Sequence, residues 1–327
     1  MDRRVALVGG ESVLGQEIRD VASRRLKGVR MKLVGSQGRG TAILTEDAGE
    51  PVVLTSLDEE TLAEALAVVL AGSAESSSRA MALLEKGGAA APVIDCTHVL
   101  EDRPDARLRA PRAEPVRLVG SRIQVVAHPA AAVLASLLRA LHRVNRIERA
   151  VVNLFEPASE RGRGGIEELQ QQTIELLRFQ TPPQAIFGEQ LSFNLLARYG
   201  DGVPVTLESV ERRIDRHVAS LLALDPPLPM PSVRLVQAPV MHGYSLSAWV
   251  EFAGAVEVAR FMAAQDGIDW RGGEHAAPNV VGVAGEPGMA VSVERDRNRA
   301  RAAWFWAASD NFRVTADHAV DLVEAVL

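Results

Sequence analysis

Residues 5–18 read VALVGGESVLGQEI: an apolar run, two adjacent glycines, then apolar residues three and four apart. That is a buried strand passing through a tight turn into a helix. In a dinucleotide-binding turn the first glycine bends the chain and the second lets backbone approach a pyrophosphate. The third allows the helix to pack closely on the strand. Gly9, Gly10 and Gly15 are placed for these roles, and Val13 opens the helix. Ser12 stands where a G-x-x-G-x-x-G turn has its middle glycine. Its Cβ narrows the approach, while its hydroxyl is a candidate donor to a phosphate. A tight βα turn without ligand explains the same residues, because fold does not imply function.

Working outward, VRMKLVG ends a second strand at Gly35, and Ser36, Gln37 and Arg39 follow. No Asp or Glu stands in LVGSQGRGT (33–41) to accept from a ribose 2′-hydroxyl, which disfavours NAD. Ser36 and Arg39 could hold a 2′-phosphate, which favours NADP. A solvated glycine-rich turn is the plainer reading. Apolar runs at 67–71 and 92–94 alternate with helical stretches at 59–66 and 77–85. This βαβ alternation predicts an α/β, Rossmann-type doubly wound parallel sheet over residues 1–128, completed by the amphipathic C-terminal helix at 312–327. The charged, Pro-rich segment 101–115 reads as a surface loop.

Residues 125–141, VVAHPAAAVLASLLRAL, read as a strand, a turn at Pro129 and a helix over 130–142. Beyond it the pattern changes. A long strand at 147–155 precedes a helix at 164–179, and runs at 205–211, 233–240 and 246–253 alternate as half-buried antiparallel strands do. Residues 129–311 are read as a second, α+β domain on a mixed sheet.

The 327 residues carry a formal net charge of -6 and no Lys/Arg block, so nucleic acid is not an expected partner. No apolar run has membrane-spanning length, so no membrane association is expected. The start MDRRVALVGG enters a strand at once, without the regions of a signal peptide, and the cytoplasm is the expected compartment. Cys96 is the only cysteine, which excludes an internal disulfide and a cysteine-based metal site. The seven histidines are dispersed without zinc spacing, so no metal is expected. Glu167 and Glu168 are read as first-turn carboxylates that complement a helix dipole.

Six segments in order resemble the aspartate-semialdehyde dehydrogenase family. They are VALVGGESVLGQEI, VIDCTHVLEDRPD (93–105), HPAAAVLASLL (128–138), GRGGIEELQQQT (162–173), QAPVMHGYS (237–245) and WAASDNFR (306–313). The resemblance spans nearly the whole chain and is closer to a divergent branch of that family. It implies NADP as cofactor, with Asn311 added to the cofactor contacts, and a homodimer formed through the second domain's sheet. The family reaction interconverts an acyl phosphate and an aldehyde through a cysteine thioester, with a His moving protons. A Gln stands beside the Cys, and two Arg hold the substrate carboxylate and the phosphate.

Carried onto this chain, no catalytic position is intact. The nucleophile falls on Ala131, the Gln on Glu156, the substrate Arg on Gln237, the His on Tyr244 and the phosphate Arg on Glu101. A remaining substrate acid and lysine fall near Glu208, Glu211 and Arg213. A methyl group cannot attack a carbonyl, and a Glu repels phosphate where an Arg would bind it. The resemblance therefore implies an inactive relative, a homodimer or a partner of an active relative. The alternatives are an NADP-dependent oxidoreductase of altered chemistry, using Tyr244 or Cys96 with His98 beside it, and a nucleotide- or metabolite-binding sensor. His242 and Tyr244 are expected on one strand face, as a hydrogen-bonded pair near Glu156.

Overall fold

The computed structural model describes residues 3–36, 44–47, 50–115, 120–264, 267–272 and 276–327. Two compact units are formed, one by the chain up to Ala127 with Thr315–Leu327, the other by His128–Val314.

The first unit runs β1 (Arg3–Val8), α1 (Val13–Arg25), β2 (Val29–Val34), a hairpin of β3 (Leu44–Asp47) and β4 (Glu50–Val53), α2 (Glu59–Ala63), β5 (Ala67–Leu70), α3 (Ala74–Lys86), β6 (Val93–Asp95), β7 (Ala106–Arg109) and β8 (Ile123–Val126). Six strands form a wholly parallel sheet in the order β2-β1-β5-β6-β8-β7. Alternate residues of β1 supply its two faces, as the period of two requires. Val5 and Leu7 join Ile18, Val21, Ala319 and Val320 in one apolar cluster. Ala6 and Val8 join Leu62, Ala80, Met81 and Leu84 in the other. Helices on both faces make this the doubly wound α/β sheet that the sequence predicts. The segment 101–115 is not wholly loop, however: it contributes β7, and Arg109 is buried with Glu114 and Gln124 as partners.

The second unit runs α4 (Pro129–Val144), β9 (Ile147–Glu156), a 3-10 turn (Ala158–Arg161), α5 (Gly162–Leu177), α6 (Leu207–Leu222), β10 (Ser232–Gln237), β11 (Tyr244–Phe252), α7 (Val258–Met262), β12 (Ile268–Trp270), β13 (Met289–Arg295), β14 (Ala302–Ser309) and the start of α8 (Asn311–Val326). Its mixed sheet has the order β10-β9-β11-β14-β13-β12. Two expectations are corrected here. Residues 205–211 are not a strand: Thr206 caps α6 by accepting from Ser209 N, and Leu207, Val210, Ile214, Val218 and Leu221 form its buried stripe. The run at 233–240 gives β10, which pairs parallel to β9, not antiparallel. Alternation reports a half-buried strand but is silent on its partner's direction.

One face of this sheet buries Val152, Leu154, Leu246, Ala248 and Phe305. The other brings Val151, Trp249 and Trp304 side by side across three strands, and Phe155 beside Trp306. Val151, Trp304 and Trp306 are exposed.

Candidate functional site

The end of β9 and the start of β11 hold a set of buried polar groups. Glu156 is fully buried at the last residue of β9. Five residues on, the 3-10 turn returns Arg161 to it, with Nη2 2.6 Å from Oε1. Gly162 at a φ of 64° lets the chain leave that turn, and a Cβ at Gly165 would lie 2.3 Å from Ala158 O. The glycines of the GRGG segment thus serve the close seating of α5 against the turn.

Gln237, the last residue of β10, is fully buried and lies beside Glu156 in register. Its Nε2 donates to Glu156 O at 2.8 Å and to Ala238 O at 3.1 Å. Its Oε1 accepts from the Tyr199 hydroxyl at 2.6 Å. Tyr244 opens β11 and faces the same carboxylate. Yet Tyr244 Oη and Glu156 Oε2 are both buried without a partner of ordinary hydrogen-bond geometry. Burial raises the Glu156 carboxyl from its ordinary value, opposed by the charge of Arg161. Burial, then the carboxylates of Glu156 and Glu160, hold Tyr244 well above the usual phenol value. Tyr244 is therefore a neutral hydroxyl at pH 7 and no base.

Four of the five catalytic positions carried over from the family thus lie in this unit, and three of them, Glu156, Gln237 and Tyr244, come together. The fourth, Ala131, is fully buried in the first turn of α4, between Ala130 and Ala132. The helix start is held from α6: His128, the N-cap, donates its N–H to His217 Nδ1 at 3.0 Å. The His128 ring also meets Tyr244 edge-on, 6.0 Å between centroids. Asn311 is buried at the start of α8. It donates to Glu160 Oε1 at 2.8 Å and Ser159 Oγ at 3.2 Å, and accepts from Gly243 N at 3.1 Å.

The expected pairing of His242 with Tyr244 is not formed. His242 precedes β11 and binds Asp310 Oδ1 through Nε2 at 2.8 Å. Burial opposes the charge of Asp310, but donors from His242, Arg313 N and Gly285 N hold its carboxyl below the ordinary range. Glu168 is not a dipole complement either. It lies beyond the first turn of α5, buried, and accepts from Ile186 N and Phe187 N at 2.8 and 3.1 Å. Glu167 is exposed. Glu208 and Glu211 sit on α6, the first paired to Arg212, the second tying Arg234 and Leu235 N of β10 to the helix. Arg213 lies on the same helix.

In the first unit, Asp95 organises the loop that carries Cys96 and Glu101, accepting from Thr97 N, Thr97 Oγ1 and Leu100 N. Cys96 is buried, and burial with the Asp95 charge pushes its thiol well up. That is the reverse of an activated thiolate. In the turn after β1, Ser12 caps α1: Oγ accepts from Gly15 N at 2.8 Å and donates its one proton to Ala71 O at 2.7 Å. It is not left to donate to a phosphate. Ser36 Oγ donates to Glu11. Val13 is the first residue of α1. Gln37 and Arg39 lie outside the described residues. Among the described residues no group of three or more His, Cys, Asp and Glu is placed to hold a metal ion, and no helix is long and apolar enough to cross a membrane.

Residues 138–314 match the family described as semialdehyde dehydrogenase, dimerisation domain. The chain belongs to the aspartate-semialdehyde dehydrogenase family. A probable aspartate-semialdehyde dehydrogenase from Pseudomonas aeruginosa superposes with a TM-score of 0.85 at 28% identity, over 100% of this chain and 98% of that one. A USG-1 protein homolog from Azotobacter vinelandii is 34% identical over 65% of this chain, and the match spans 62% of that relative's length. An aspartate semialdehyde dehydrogenase with NADP from Candida albicans shares the fold, with a TM-score of 0.69 at 14% identity over 100% of this chain and 98% of that one.

Sequence reasoning missed Glu160, Arg161, Tyr199 and Asp310. Glu160 has a testable consequence. Burial, with Glu156 close by, pushes its carboxyl from an ordinary 4.5 up to about 7. The folded state then holds the proton more tightly than the unfolded chain. This stabilisation is complete below about pH 4.5 and is lost as pH rises through about 7. Glu160→Gln imitates the protonated form and keeps an acceptor for Asn311. Its melting temperature is expected to match the parent near pH ~5 and exceed it near pH ~8 by several degrees, on the order of 2 kcal/mol. His318, driven by burial down to about 4, acts with the opposite sign in both proteins and cancels from the difference. A difference that does not change with pH would remove the carboxyl as its origin.

Proposed function

We propose that this protein has given up the phosphate-linked aldehyde chemistry of its family and serves as a folded, self-associating partner protein. The observation that carries the reading is the buried network of Glu156, Arg161, Tyr199 and Gln237. These side chains bond to one another where the family resemblance calls for a Gln and a substrate Arg. Arg161 lies 2.6 Å from Glu156, so its charge is countered there and is a poor anchor for a substrate carboxylate. Ala131 offers no nucleophile, and the buried, neutral Cys96 does not replace one.

The surface left for association is the open face of the mixed sheet. Its aromatic residues Trp249, Trp304 and Trp306 lie on adjacent strands, with Arg149, Glu251 and Arg299 around them. Exposed aromatic and apolar residues ringed by charge suit an interface. A homodimer through this face is the simplest assembly, and a mixed dimer with an active relative would use the same face.

The test combines turnover and mass. Purified protein given a nicotinamide dinucleotide with either a semialdehyde and inorganic phosphate or an acyl phosphate is expected to change nicotinamide absorbance no faster than buffer. Sedimentation is expected to give twice the 35.1 kDa chain mass, and Trp304→Lys is expected to shift it toward the monomer. Protein-dependent turnover ends the first part of the proposal, and a monomeric parent ends the second.

A further inference from the structure

Glu11, in the turn between β1 and α1, reaches the chain just beyond β2. Its Oε1 accepts from Ser36 N at 2.8 Å and also from Ser36 Oγ. Its Oε2 is buried and has no hydrogen-bond partner. Arg79 of α3 fixes the same stretch, its Nη2 donating to Ser36 O at 3.0 Å. The turn beside them is a close-fitting cradle. Gly9 has a φ of 82°, and a Cβ there would lie 2.2 Å from Gly72 Cα. A Cβ at Gly15 would lie 2.3 Å from Gly9 O.

The end of the second strand is where a dinucleotide fold reads the adenosine ribose. A carboxylate there accepts from the 2′-hydroxyl, whereas a 2′-phosphate needs a cation or free donors. The sequence offered no acid after β2, but the fold brings one from another loop. Among the described residues the cation at this stretch, Arg79, already gives Nη2 to Ser36 O, so the NADP of the family is poorly matched by what stands here. The donors a 2′-phosphate would use, Ser36 N and Ser36 Oγ, are already given to Glu11. A phosphate dianion brings acceptors and like charge to a carboxylate that is itself acceptor-only. A ribose hydroxyl brings a proton, and Glu11 Oε2 is a buried acceptor lacking one; such groups are seldom left unpaired.

We infer that this cradle takes NAD(H) in preference to NADP(H), and that Glu11 is the residue that sets the choice. The inference concerns cofactor binding alone, so it stands or falls separately from the loss of turnover.

The test is a titration of the whole protein with NADH and with NADPH, followed by nicotinamide fluorescence and by calorimetry at ~0.15 M salt. NADH is expected to bind at least about tenfold more tightly. Glu11→Ala frees the donors of Ser36, so NADPH binding is expected to rise by about tenfold while NADH binding falls. Glu11→Gln keeps the shape and removes the charge; it is expected to narrow the gap if the alanine variant does not fold. Equal binding of the two by the parent, a preference for NADPH, or no binding of NADH at millimolar concentration would each overturn the inference. So would a preference that survives both substitutions.

Discussion

Arg161→Met is expected to destabilise the protein by about 3–5 kcal/mol, because it leaves a carboxylate buried without its counter-charge. Glu156 is fully buried, and Arg161 Nη2 at 2.6 Å is the cation bonded to it. Tyr199 Oη lies 3.5 Å from Glu156 Oε1 and gives its shorter bond, 2.6 Å, to Gln237. No neutral neighbour replaces the lost charge. Part of the cost is relieved by protonating Glu156, so the variant's stability is expected to fall more steeply than the parent's as pH rises. The double variant Glu156→Gln with Arg161→Met carries no buried charge at this point. It is expected to recover most of the loss, since removing both partners of a buried pair is far milder than removing one. Urea unfolding of the parent, both single variants and the double closes the cycle. An Arg161→Met variant within about 1 kcal/mol of the parent would mean that the pair is already solvated, and the network would lose its place in the functional argument.

The first unit was legible because its signals are local. The run from Val5 to Ile18 contains the strand, turn and helix face in fourteen consecutive residues, and each lies where the periodicity puts it. The second unit was legible only where its elements are long. The α6 stripe of Leu207, Val210, Ile214 and Val218 shows its helical period over a dozen residues; across 205–211 alone it passes for a strand. The direction of β10 depends on which neighbour it joins, and no residue of SVRLVQ encodes that. The site divides in the same way. Ala131, Glu156, Gln237 and Tyr244 could be singled out because segments in order resembled a family. What surrounds them could not. Tyr199 lies 38 residues from Gln237, and Glu11 lies 25 from Ser36, in stretches whose spacing has no period. A carboxylate that changes the meaning of a distant loop is a tertiary fact. Reading the residues after β2 alone points to NADP, the opposite of the preference inferred above.

Gly9→Ala is the second large expected effect, and it tests whether the turn after β1 is fixed by packing. Two penalties add there. The φ of 82° is one that L side chains rarely adopt, at about 1 kcal/mol. The new Cβ would also stand 2.2 Å from Gly72 Cα and 2.4 Å from Gly72 N, which are backbone atoms with no rotamer to change. The turn after β1 and the chain after β5 would have to separate, although Ala71 N is bonded to Val8 O at 2.9 Å just beneath them. Overpacking costs about 1–3 kcal/mol, with the upper end applying where only backbone can move, so the total is expected to reach ~4 kcal/mol. Gly28 is the internal control. Its φ is 78°, but a Cβ there meets nothing within 4 Å, so Gly28→Ala is expected to show the conformational penalty alone, about 1 kcal/mol. Thermal unfolding of the two variants separates strain from collision. Equal losses at Gly9 and Gly28 would show that the strands yield and that the cradle is not held at contact distance. A larger loss at Gly9 would show that the cradle's shape is set by the fold itself, independently of any nucleotide.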